Sequence, residues 1–158
     1  MTASEGPAVT AELHELLTPW NFDEPLTYPE DLDDNQANAG AGDSTWRYST
    51  YPDEWSALGA SGAADSGAVL ATATVPATTD SIVEFSDPAL VTLVQDWLAD
   101  PSSNNGIMIK AIDADEASAV DNRKVLCGKG FPLESSTNLT QEEALSHRPR
   151  IVVEFHLP

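Results

Sequence analysis

The sequence predicts a mainly β protein with one short helix, and three observations carry that expectation. Eleven prolines and nine glycines break the 158-residue chain too often for a helix bundle. Short β-branched or alternating apolar runs recur between those breaks, as at residues 68–75 (AVLATATV) and 150–157 (RIVVEFHL). Only one stretch keeps helical spacing over several turns, with apolar residues at Leu90, Val91, Leu93, Val94, Trp97 and Leu98.

Taken in order, residues 1–7 are expected to be a disordered lead-in and residues 8–158 a single domain with one core. In residues 8–17, Val9, Ala11 and Leu13 alternate with Thr10, Glu12 and His14, which describes a strand buried on one face. The segment ELHELL alone also fits a helix, but Thr18-Pro19 closes it too early for one. Residues 21–43 form a long acidic loop, and at period two Trp46, Tyr48 and Thr50 then share a strand face. Residues 56–67 are Gly/Ala/Ser-rich and read as a loop without chemistry. Residues 68–75 and 81–85 (SIVEF) are expected strands on either side of Pro76 to Asp80.

The helix is expected at about 88–99, capped by Ser86 or Asp87, with Pro88 at the first helical position and a stop at Asp100-Pro101. The turn Ser102-Ser103-Asn104-Asn105-Gly106 leads into a strand at Ile107-Met108-Ile109. Further strands are expected at 124–128 and 150–157. Thr140 and Glu143 make a capping-box pattern for one helical turn, and Gly128-Lys129-Gly130 lacks the spacing of a phosphate loop and reads as a bend.

Several of these segments fall in a familiar order. VTLVQDWL followed by NNGIMIKA, then Glu134-Ser135-Ser136, then RPRIVVEF at 148–155 resembles the C-terminal half of the DNRLRE domain family. VTAELHELLTPWNFDE at 9–24, and Trp46 and Trp55 ahead of the Gly-rich loop, extend the resemblance to about residues 8–157. It implies a jelly-roll-like antiparallel β-sandwich and a module of a secreted or cell-surface protein, some relatives of which are linked to polysaccharide. It also implies that Trp20, Trp46, Trp55 and Trp97 are core residues. The family's opening strands, with their Asn-Tyr-Gly and LLRFDL-like segments, have no counterpart here. The expectation is a partial domain whose partner strands, or a neighbouring domain, belong to a longer precursor. Residues 1–5 carry neither the basic nor the apolar region of a signal peptide, and export is expected from the resemblance alone.

Charge narrows the function classes. The chain holds 26 acidic residues against seven Lys and Arg, a net charge of −19, and a field of that sign disfavours nucleic acid and anionic membrane. No apolar run reaches spanning length, so no membrane insertion is expected. Residues 1–100 carry 18 acids against Arg47 alone, while residues 101–158 carry eight acids against six bases. Of those six, Lys124, Lys129 and Arg150 are the candidate cations for a uronate or sulfated sugar, because ammonium and guanidinium groups pair with such anions. Scattered surface charge is the plainer alternative.

Tyr48 and Tyr51 are the candidate stacking residues, since aromatic rings pack against the C–H faces of sugars. Asp31, Asp33, Asp34 and Asn35 are the candidate calcium ligands, offering carboxylate and amide oxygens on a pliable loop, although the spacing is not that of an EF-hand. No cofactor is required. Cys127 is alone and reads as a small buried side chain. His14, His147 and His156 stand too far apart in sequence for a local zinc motif, and no Gly-x-Ser-x-Gly occurs. The expectation is therefore a non-catalytic carbohydrate-binding or accessory module that binds polysaccharide, including one that contains uronates. The alternative is a structural spacer domain without a glycan ligand, stabilised by calcium.

Overall fold

A computed structural model of the chain describes residues 3–4, 6–21, 42–78, 81–112, 115, 124–125 and 150–155. They form strands in antiparallel sheets with a single short α-helix. The strands are β1 (Ala3–Ser4), β2 (Val9–Leu16), β3 (Tyr48–Thr50), β4 (Asp53–Glu54), β5 (Ser66–Val75), β6 (Ile107–Ala111) and β7 (Lys124–Val125), and the helix is α1 (Pro88–Ala99). They pair as β5-β2-β6, β3-β4 and β1-β7. The chain groups into two compact units, one of Ala11–Thr72 with Phe85–Lys110 and one of Met1–Thr10, Ala73–Glu84 and Ala111–Pro158.

In the first unit β2 is the central strand. Its expected alternation buries Ala11 and Leu13 on one face, and His14 and Leu16 are buried on the other. Leu16 N–H donates to Gly106 C=O at 3.0 Å beside β6, and Leu17 N–H donates to Asp65 C=O at 2.7 Å beside β5. With Ala60, Ala71 and Leu93 these residues make the apolar core of this unit among the described residues. His14 is tolerated inside because its ring is engaged at both nitrogens: Nδ1 lies 2.9 Å from Gly67 C=O, and Nε2 lies 3.3 Å from the Glu12 carboxylate. Lys110 on β6 reaches the same carboxylate at 3.9 Å.

The helix forms where its signals stand. The Asp87 carboxylate accepts from Ala89 N–H at 2.9 Å, and Pro88 occupies the first turn. Asp100 ends α1 by donating its N–H to Asp96 C=O at 2.8 Å. Its carboxylate then accepts from Ser102 N–H at 3.1 Å, opening a short 3-10 turn at Pro101–Ser103. The following turn is tied to the end of β2, with Trp20 Nε1 donating to Asn105 C=O at 2.7 Å and Asn105 Nδ2 donating to Leu17 C=O at 3.1 Å.

In the second unit Ala3 pairs with Val125 and Ser4 with Lys124 in antiparallel register. Thr10 C=O accepts from Ile112 N–H at 3.0 Å, and Thr10 N–H donates to the Asp115 carboxylate at 2.7 Å. Val9 and Val75 are buried here.

Two runs expected as strands, 81–85 and 150–157, form none over their described residues. Residues 81–85 and 150–155 carry apolar runs but join no ladder, and Ile82 is 80% exposed, Val152 72% and Phe155 74%. β propensity reflects fit against neighbouring strands rather than an intrinsic backbone preference, so a run without a paired neighbour has nothing to express it. Among the described residues the strand-rich character with one short α-helix holds. The expected turns at 128–130 and 140–145 lie outside the described residues.

Candidate aromatic site on a hairpin

The hairpin of β3 and β4 pairs Tyr48 with Glu54 and Thr50 with Asp53, with a register shift between Tyr48 and Thr50. The turn contains a cis Tyr51-Pro52 peptide. Thr45 organises the approach: its hydroxyl oxygen accepts from Arg47 N–H at 3.2 Å and Tyr48 N–H at 3.1 Å, while its carbonyl accepts from Trp55 Nε1 at 2.9 Å. Tyr51 N–H donates to Asp43 C=O at 2.8 Å and so fixes the other side of the turn. Side chain-to-backbone bonds thus supplement the backbone bonds of the segment, which suits a strand pair this short.

Tyr48 and Tyr51 are both half-buried, and their rings meet edge-to-face with centroids 4.9 Å apart and planes at 77°. The Arg47 guanidinium carbon sits 5.5 Å from the Tyr48 centroid. Its Nη2 and Nε reach Glu54 Oε1 at 2.7 Å and 2.9 Å, and the hydrogen bond and then the charge of Glu54 raise the Arg47 pKa above its ordinary value. The one cation of residues 1–100 is thus committed within the hairpin.

Trp46 departs from the core expectation: it is 69% exposed. Its indole nevertheless rests on the chain, because Gly59, with φ +68°, lies directly against the six-membered ring. Gly59 N–H donates to Trp46 C=O at 2.7 Å, so ring and backbone are fastened together. The remaining tryptophans are half-buried: Trp20 and Trp55 donate to carbonyls, and Trp97 Nε1 is buried with no partner among the described residues. Trp46 also precedes β3, so the expected three-residue strand face begins only at Tyr48.

Below the hairpin, the loop that the sequence leaves without chemistry is built on Asp65, which is 2% exposed. Its carboxylate accepts from Ser56 N–H at 3.0 Å, Ser56 Oγ at 2.6 Å and Ala57 N–H at 3.1 Å. Burial pushes its pKa up, but the Ser56 side-chain bond and the Ser56, Ala57 and Gly62 amides together pull it below the usual carboxylate value. Thr18 Oγ1, 3.4 Å from the same carboxylate, links the loop to the end of β2. An acid inside a small-residue loop was the available signal; nothing in the residue types says that it folds back on its own loop.

The expected site residues are therefore distributed. Tyr48 and Tyr51 come together on the hairpin. Lys124 lies in β7 and Arg150 is exposed, and both belong to the other compact unit. Lys129, Asp31, Asp33, Asp34 and Asn35 lie outside the described residues. Among the described residues no group of three or more His, Cys, Asp or Glu side chains could hold a metal ion, and no helix is long and apolar enough to cross a membrane. Scans of the chain against family models, curated proteins and solved structures return no match.

Proposed function

We propose that the chain is a non-catalytic carbohydrate-binding or accessory module of an exported or cell-surface protein, with a jelly-roll-like β-sandwich as its full architecture. The observation that carries this reading is the aromatic hairpin, where Tyr48 and Tyr51 stand edge-to-face on a segment locked by Thr45 and Asp43. A rigid pair of amphipathic rings offers both C–H stacking area and hydroxyl donors at little entropic cost. The DNRLRE resemblance supports the same class, and the acidic field disfavours nucleic acid as ligand. Lys124, Lys129 and Arg150 remain the proposed cations, and Asp31, Asp33, Asp34 and Asn35 the proposed calcium ligands.

Native affinity electrophoresis through gels containing neutral or uronate polysaccharides, each with calcium and with chelator, tests the reading. Retardation of a sharp band by one polysaccharide is the expected result. A sharp band that no polysaccharide retards would replace it with a structural spacer, and thermal stabilisation by calcium without any glycan would strengthen that replacement.

A further inference from the structure

We infer that Trp46, rather than the tyrosine pair, supplies the main contact surface of the hairpin, and that its ligand is a neutral polysaccharide; the inference rests on the carbohydrate-binding reading above. The argument begins with the ring. A Cβ on Gly59 would lie 2.5 Å from Cζ3 and 2.7 Å from Cζ2 of Trp46, and closer still to Cη2. Three adjacent ring atoms at nearly equal distances place Gly59 against the face of the indole, since an edge-on approach would leave the two flanking atoms markedly farther than Cη2. One face is therefore covered by backbone where a side chain would collide with it, and the 69% exposure of the residue leaves the opposite face open. A flat apolar ring already fixed in place loses little freedom when a sugar stacks on it. The tyrosines spend part of their surface on each other.

Charge decides the class of sugar. Asp43, Asp53 and Glu54 are exposed around the hairpin, and Arg47 is held by Glu54 at 2.7 Å. The local field is negative, which repels uronates and sulfated chains and leaves a neutral pyranose with an open C–H face as the fitting occupant.

The test uses the full chain and two variants, Trp46→Ala and Gly59→Ala, in affinity gels containing hydroxyethylcellulose, xylan, galactomannan, polygalacturonate or alginate. Thermal melts confirm that each variant folds. The expected result is retardation of the parent by a neutral polymer, weakened at least about tenfold in both variants, as for the loss of one dominant aromatic contact. Retardation by a neutral polymer that persists in Trp46→Ala, or retardation by the uronates alone, overturns the inference while the carbohydrate-binding reading stands. Absence of retardation in every gel overturns both.

Discussion

Two carboxylates in the same compact unit show how differently one functional group can serve. Glu54 sits on the hairpin surface, 52% exposed, and holds Arg47 in an ion pair that water and salt compete for. Asp65 is buried and has no cation partner among the described residues; backbone amides and hydroxyls hold it instead. The ion pair is the more visible feature, yet the uncompensated-looking acid is the structural one. Fixed dipoles inside a loop stabilise a charge without the entropic cost of holding two long side chains together.

Breaking the buried member of this comparison should have the largest effect. Asp65→Ala leaves several loop donors without an acceptor and is expected to cost about 3 kcal/mol, read as a lower urea midpoint at unchanged slope. Asp65→Asn keeps the shape but turns an amide N–H toward donors, and about 2 kcal/mol is expected. That variant also sharpens the electrostatic part. The folded pKa of Asp65 is lowered from 3.8, so its stabilisation is complete above that value and lost as pH falls through it toward the depressed folded value. Acid unfolding of Asp65→Asn should therefore be shallower below pH 3.8 than that of the parent, and parallel curves would remove Asp65 from the account.

Gly59→Ala places a methyl group at a left-handed position and beneath an indole, at a cost of about 1 kcal/mol from the backbone. Its sharper readout is a change in Trp46 fluorescence, best seen when Trp20, Trp55 and Trp97 are replaced by Phe. Smallest of all, Glu54→Gln should change stability by less than about 0.5 kcal/mol, and less again in high salt. A larger loss there than at Asp65 would reverse the comparison.

What could be read from the sequence was what is local. α1 carries its own cap, first-turn proline and stop, and β2 carries its own alternation, so both stand where their residues put them. Residues 81–85 and 150–155 carry equally apolar letters but depend on a neighbour that no letter specifies. Trp46 illustrates the same limit at one side chain. The seat of its ring is a glycine thirteen positions away with a positive φ, a relation between two residues and not a property of either. The Asp65 loop was missed because Gly, Ala and Ser give no sign of whether their amides face water or a carboxylate.

The placement of β2 at the middle of its sheet has a consequence for how the chain is made. The bonds that fasten its end join residues 85 and 88 positions apart, through Trp20, Leu17 and Asn105, and another joins residues 105 apart, from Thr10 to Asp115. Synthesis delivers β2 well before these partners, so a nascent chain holds its central strand unpaired along one edge until β6 has been made. Such wide loops must close before the sheet rewards them, which sets folding on a slow timescale. The amides of β2 that face β6 should accordingly be among the last to gain protection from hydrogen exchange when the unfolded protein is returned to native conditions.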